Sequence, residues 1–350
     1  GIAMGDPYHL TLDKIRQHGV VVFSSNYELY GDFSARVNSA LHHFSPQVEQ
    51  YSIDEAFVDL TCQHALAAPD LRQYALQMKA SIKQWTYIPV SVGIAPSKTL
   101  AKVANKFAKK NASTGGVAML TEEAEIDSHL ANLAVHDLWG VAHRMGRRLA
   151  AHGIGSALEL KRADLALIRK EWGVVGERLV RELRGESCLP LTHFVKPKQG
   201  IMCSRSFSRY VGSLEELAEA VVLYGSRAAE KLRQEGLAAC LVQVFLRTNP
   251  HNASLPQYSP TATLQLPEPS ADTRVLCRAA VQGLRQIFRP GFKYIKAGVF
   301  LTDMCPIGQR QLHMFGDADA ERGQRLMKVI DEVNRRQGRN TLRLATVPAA

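Results

Sequence analysis

The stretch Tyr51-Ser52-Ile53-Asp54-Glu55-Ala56-Phe57-Val58-Asp59-Leu60 constrains the chain more than any other. Two adjacent carboxylates interrupt what otherwise reads as a pair of short buried strand segments. A carboxylate withdrawn from water is costly unless something positive meets it. Mg²⁺ is an economical partner, because hard cations take oxygen ligands and accept one or two carboxylates together with substrate phosphates. Successive strand residues point to opposite faces, so Asp54 and Glu55 share a metal only at a strand end, turn or bulge. From spacing alone, a strand-edge turn carrying solvated acids satisfies the same pattern.

Composition narrows the partners. The chain has 350 residues, enough for two to four domains. Its net charge of +10 and pI near 9.4 favour a polyanion such as nucleic acid. No apolar run approaches the roughly 20 residues that span a bilayer, so no membrane partner is expected. Cys62, Cys188, Cys203, Cys240, Cys277 and Cys305 are scattered, with no CxxC pair and no His at zinc spacing. They read as unpaired thiols in a reducing cytoplasm.

Around the acidic stretch, periodicity predicts alternating elements. Leu10, Ile15 and the Val20–Phe23 run suggest a short helix followed by a buried strand. Ser24, Ser25 and Asn26 are candidate helix caps for a segment whose Tyr30, Phe33, Val37, Leu41 and Phe44 share one face until Pro46. Strands near Val48–Tyr51 and Phe57–Leu60 bracket the acids. A helix over Asp70–Trp85 turns Leu71, Ala75, Met78 and Ile82 inward, and a strand over Pro89–Ile94 follows. From Ser97 a helix carries Lys98, Lys102, Lys106, Lys109 and Lys110, mostly at i, i+4 spacing. A solvated charged face is the ordinary meaning of such a stripe; beside a carboxylate–metal site it suits phosphates. Gly93 to Thr99 superficially follows the pattern of a phosphate-binding G-x-x-x-x-G-K-[ST] loop, but the interval is one residue short and the second Gly is absent.

Residues 121–190 read as a small helical unit. Leu138-Trp139-Gly140-Val141-Ala142, a basic Arg144–Arg148 helix and Gly153-Ile154-Gly155-Ser156 have the order of a helix-hairpin-helix, whose tight Gly turn lets backbone N–H groups reach a DNA phosphate. Ser156 with Glu159 makes a capping box, and Gly185 closes the helix ending at Arg184. Residues 191–200 are basic, contain Pro and lack periodicity, as a tether does. Strand Ile201–Arg209, helix Ser213–Gln234 and strand Ala239–Leu246 come next. They are followed by strand Thr261–Leu266, helix Ser270–Phe288 and strand Tyr294–Leu301, a β-α-β-β-α-β order that predicts a ferredoxin-like split βαβ domain. A Ser213…Glu216 capping box opens its first helix. A last helix over Glu321–Arg335 turns Leu326, Ile330 and Val333 inward.

Taken with Ser24–Tyr30, Ser91–Lys102 and Thr114-Gly115-Gly116-Val117, these motifs closely resemble the Y-family translesion DNA polymerases, in their UmuC-like branch, from Gly1 to near residue 345. The resemblance implies an α+β multidomain right hand. Its parts are a remnant of the fingers (1–30), a catalytic palm (31–120), a helix-hairpin-helix thumb (121–190), a tether (191–200), a little finger (201–310) and a clamp-binding peptide with a C-terminal segment (311–350). It implies error-prone synthesis across damaged primer–template DNA during the SOS response, with dNMP transferred from dNTPs to a primer 3′-hydroxyl with two Mg²⁺ ions. Asp54 and Glu55 match the catalytic, metal-binding carboxylates, and Lys109 the contact to the dNTP phosphates. Lys98, Lys102, Gly140, Arg144, Arg205, Arg209, Lys293 and Lys296 become DNA contacts, although this chain has Ala142 where the resembling proteins carry a second Gly. Gln311, Leu312, Met314 and Phe315 resemble a sliding-clamp-binding peptide. A UmuD-derived dimer and RecA are implied partners, and the cytoplasm the implied location.

The family's first metal-binding Asp, its sugar-discriminating aromatic and most fingers residues are expected to precede Gly1, and a C-terminal tail to follow Ala350. The 350-residue chain by itself is therefore expected to be inactive. The alternative is a non-catalytic, clamp-tethered DNA-binding fragment. A nucleotidyl cyclase would share a two-metal palm, but the helix-hairpin-helix and the clamp-like peptide count against it.

Overall fold

In the structure, a computed structural model that describes residues 1–61, 70–192, 197–309, 318–338 and 340–345, local chemistry sets most helix starts. Side chains of Asn26, Asp70, Ser97, Ser156, Asp164, Ser213 and Asp272 each accept a first-turn backbone N–H. Two compact units divide the chain, residues 1–195 and 196–350.

The first unit begins with α1 (Tyr8–Gln17) and α2 (Tyr27–Leu41). Val20–Phe23 is not the expected buried strand: no strand pairs with it among the described residues, and Val21 and Phe23 are 71% and 84% exposed. Strand propensity without a neighbour leaves the backbone ladder unmade. Helix α2 stops at Leu41, well before Pro46. Strand β1 (Val48–Gln50) pairs antiparallel with β2 (Ala56–Val58), Val48 opposite Val58 and Gln50 opposite Ala56. With α3 (Leu71–Thr86) they enclose Ala40, Leu41, Phe44, Val48, Met78 and Ile82.

Strand β3 (Val92–Ile94) runs parallel to β4 (Val117–Met119), and α4 (Lys98–Lys110) lies against both. At Gly93 a Cβ would stand 2.3 Å from the Ala101 carbonyl oxygen and 2.3 Å from the Asn105 nitrogen. This glycine admits a helix to a strand; it cradles no phosphate. Fully buried Leu100 and Ala104 of α4 continue into one core with α5 (Glu123–Ala131), α6 (His143–Ala151), α7 (Ala157–Arg162) and α8 (Leu165–Leu183), through Leu130, Leu149, Leu160 and Leu183. Each such leucine contributes about 2 kcal/mol of burial. The Ser156–Glu159 capping box forms, and Gly185 follows the end of α8 at φ 86°. Helix α8 breaks once, at Gly173 (φ 70°, ψ −166°). Glu182, fully buried, accepts from the backbone N–H groups of Thr99 (3.0 Å), Cys188 (2.6 Å) and Leu189 (3.2 Å). It thereby fastens α8 to the start of α4.

The second unit is the expected β-α-β-β-α-β. Its elements are β5 (Gly200–Val211), α9 (Leu214–Gln234), β6 (Leu237–Thr248), β7 (Thr261–Ser270), α10 (Thr273–Ile287) and β8 (Tyr294–Pro306). The sheet order β5-β8-β6-β7 splits both crossovers, since β8 lies between β5 and β6, and β6 between β7 and β8. Leu217, Val221 and Leu232 of α9 and Leu276, Ala280 and Leu284 of α10 meet Val242, Val244, Ala297, Val299 and Leu301 on one sheet face. The capping box at Ser213 is only half made: Ser213 accepts from Glu216 N–H, but the Glu216 carboxylate turns to Arg209. Helix α11 (Ala318–Gln337) buries Met327 and leaves the expected Leu326 41% exposed. The expected Ile330 and Val333 are half-buried, and Asp331 pairs with Arg233 of α9 at 2.6 Å.

Candidate active site and nucleic-acid interface

Asp54 and Glu55 stand on the turn between β1 and β2. Tyr51 and Ser52 donate their N–H groups to the Glu55 carbonyl at 3.1 and 3.0 Å, closing the turn. This is the interruption of strand alternation that two neighbouring acids need in order to act together. Of the two arrangements that spacing left open, the turn is the more solvated one: Asp54 is exposed and the Glu55 side chain, half-buried, is 36% exposed. Asp54 Oδ1 accepts from Ser52 Oγ at 2.7 Å, while Lys102 Nζ donates to both Glu55 oxygens at 2.8 and 2.7 Å. The donor set is all oxygen, two carboxylates and a hydroxyl, which suits Mg²⁺ rather than a soft ion. Among the described residues no third acid, His or Cys joins them. Asp59 lies past the opposite end of β2, its carboxyl held below the usual range by the side chain and N–H of Thr61.

The lysine stripe is largely paired. Lys98 is taken up by Glu49 and by the Pro190 carbonyl at 2.9 Å, with its side chain only 11% exposed. Lys102 holds Glu55, and Lys106 meets Asp137 at 3.1 Å, keeping that carboxyl below its ordinary range. Lys109 is exposed and makes no ion pair among the described residues. It follows Lys102 by seven positions, about 10 Å along the same side of α4.

In the helical part, Gly140 (φ 89°) precedes α6, whose first turn has no side-chain cap. Gly140, Ala142, His143 and Arg144 are exposed there, so free N–H groups and a guanidinium face solvent together. In the second unit the four predicted contacts do not share one surface. Arg205 stands opposite buried Ala297, on the helix-covered face at the sheet edge, whereas Lys296 stands opposite Ser206 and Arg247 on the other face. Arg209 is paired with Glu216. Lys293 is exposed beside Tyr210, whose hydroxyl is held below its usual pKa by hydrogen bonds from Asn252 and Asn249 and by that lysine. Gln311, Leu312, Met314 and Phe315 lie outside the described residues, as does Cys62. The five described cysteines are free thiols.

Sequence reasoning missed Trp139. Its indole Nε1 donates to the Tyr51 hydroxyl at 3.0 Å, bringing the loop before α6 onto the acidic turn from 88 residues away. No periodicity announces such a contact.

Comparison with known proteins agrees with this architecture. A solved Y-family DNA polymerase chimera of Dbh and Dpo4 superimposes with a TM-score of 0.66 at 19% identity, over 87% of this chain and 83% of the chimera. The fold is therefore that of the Y-family polymerases. Residues 1–106 match the impB/mucB/samB family, and residues 198–314 match its C-terminal domain. Protein UmuC of Salmonella typhimurium (strain LT2) is 44% identical over 347 residues, 99% of this chain and 82% of that protein. Protein MucB of Escherichia coli is 43% identical over 343 residues, 98% of this chain and 80% of that protein. The chain belongs to the impB/mucB/samB family.

Proposed function

We propose that this chain is the catalytic portion of a translesion DNA polymerase, transferring dNMP from a dNTP to a primer 3′-hydroxyl opposite a damaged template. The observation that carries this reading is the acidic turn, where Asp54 is exposed and Glu55 half-buried against Lys102 of α4, with Lys109 further along the helix making no ion pair among the described residues. Asp54 and Glu55 would hold Mg²⁺; two such ions, when bound, stabilise the attacking and leaving oxygens of an in-line displacement. Lys109 meets the polyphosphate as a fixed positive charge rather than as an acid or base. Gly140 and Arg144, at the uncapped start of α6, take a phosphate of the DNA backbone. Lys293 and Lys296 take others in the second unit.

In this reading residues 31–120 act as palm, 121–190 as thumb and 201–310 as little finger. Gln311–Phe315 tethers the protein to a sliding clamp. A UmuD-derived dimer, RecA, the SOS response and the cytoplasm complete the setting that family membership suggests. In this reading the 350-residue chain by itself is expected to retain DNA without extending it.

The test is Mg²⁺-dependent primer extension past an abasic site by the product of the complete gene. Asp54→Ala should abolish extension while primer–template binding persists. Extension that survives Asp54→Ala would refute the assignment. Extension by the 350-residue chain alone would show that some other carboxylate serves as the further ligand.

A further inference from the structure

Lys102 occupies a pocket that an ordinary surface ion pair does not have. Its ammonium lies 5.2 Å from the Tyr51 ring centroid and 5.4 Å from that of Trp139. Tyr51 and Trp139 meet edge to face at 5.5 Å and are joined by the indole-to-hydroxyl hydrogen bond. Phe57 stands behind, 5.6 Å from Tyr51 and 5.9 Å from Trp139. The lysine side chain is 22% exposed, and both Glu55 oxygens accept from it. Two ring faces and one carboxylate thus hold a single positive charge. Aromatic faces attract cations through the ring quadrupole, most strongly where water is thinned.

That charge sits where a divalent ion would be drawn. We infer that Lys102 is a built-in counter-cation that holds Glu55 in place and competes with divalent metal for it, positioned by Tyr51 and Trp139. The inference rests on reading Asp54 and Glu55 as metal ligands. Before metal enters, Glu55 is already neutralised and aimed, so the turn does not carry two unbalanced negative charges. A metal ion at the turn must draw Glu55 from the ammonium, which then moves relative to the indole of Trp139. Lys102 and Trp139 are therefore positioning residues, and Trp139 is also a natural reporter.

Metal binding is read without DNA or nucleotide, by the electron paramagnetic resonance of free Mn²⁺. Lys102→Met should bind Mn²⁺ about tenfold more tightly than the parent, the scale of one partly exposed charge-assisted pair. Lys102→Arg, which keeps the cation, should stay close to the parent, and Glu55→Gln should cancel the gain when combined with Lys102→Met. In a Trp85→Phe, Trp172→Phe background, Mg²⁺ should change the emission of Trp139 saturably, and Lys102→Met should abolish that change. Lys102→Gln provides the same charge removal should the Met variant not fold. Equal or weaker Mn²⁺ affinity after charge removal, in a protein that still melts cooperatively, overturns the inference alone. Absence of Mn²⁺ binding in every form overturns the metal reading of the turn, and the inference with it.

Discussion

Gly93→Ala tests the packing that brings the lysine helix to the acidic turn. The added carbon would lie 2.3 Å from Ala101 O, 2.3 Å from Asn105 N and 2.8 Å from Asn105 Cα. All three are main-chain atoms of α4, so no rotamer relieves them. Reaching ordinary contact at 3.4 Å requires α4 to retreat from β3 by about 1 Å. That shift loosens fully buried Leu100 and Ala104. Overpacking costs about 1–3 kcal/mol where side chains can adjust; with a helix backbone in the way, about 3 kcal/mol is expected. For a unit of this size that corresponds to a fall of about 6–12 °C in Tm. Trp85, Trp139 and Trp172 are the chain's three tryptophans and all lie in the first unit, so a urea titration followed by tryptophan fluorescence reads that unit alone. Gly116→Ala is the contrast. There the nearest atom is the Lys79 Nζ at 2.8 Å, the end of a long side chain that donates to the Gly115 carbonyl, and the backbone strain is the left-handed φ of 81°, worth about 1 kcal/mol. A Gly93→Ala loss no larger than that of Gly116→Ala would refute the close-approach account.

Asp127 is held below its usual pKa chiefly by the Lys161 hydrogen bond, with Arg162 also contributing. A depressed carboxyl contributes stability above its unfolded pKa near 4 and loses it as pH falls through the lower folded value. Asp127→Asn should therefore destabilise the first unit by about 1–2 kcal/mol at neutral pH, with the difference closing below pH 4; a pH-independent difference would contradict this. Primer–template affinity should fall steeply with salt, by about 0.9 in log–log slope per neutralised duplex phosphate. Changing Lys293 and Lys296 together to Ala should lower that slope by roughly 2, and an unchanged slope would remove them from the interface. Leu312→Ala with Phe315→Ala should abolish retention by a sliding clamp and leave bare-DNA binding intact, since apolar anchors dominate peptide affinity; unchanged clamp retention would exclude the segment.

What was legible in the sequence was mostly local. Asn26, Asp70 and Ser97 cap helices because the bonds they make span only two or three residues, and the Ser156–Glu159 box and Gly185 follow the same logic. The acidic turn was legible because strand alternation forbids adjacent acids a common face anywhere else. Partners were not. Lysine spacing defined one side of α4 but not the acids it meets, which come from 49, 47 and 31 residues away. Val20–Phe23 has the composition of a strand, but a strand exists only beside another. Arg205 and Lys296 read alike in sequence, yet sheet register turns them to opposite faces.

The clasp at Glu182 bears on how the molecule can be made and cut. Thr99 N–H and Ser97 Oγ, at the buried start of α4, find their acceptors on Glu182 from 83 and 85 residues away, and Thr192 N–H reaches Glu49 across 143. At translation speeds of about 5–20 residues per second, roughly 4–17 s separate synthesis of Thr99 from that of Glu182. Through that interval the Thr99 N–H lacks its buried acceptor and Leu100 and Ala104 lack the part of their cover that Leu179, Val180 and Leu183 supply. A fragment cut near residue 120 would remain in that state permanently. The helices after it thus complete the acidic turn's own scaffold, and a fragment that aims to isolate that scaffold must run at least to Thr192.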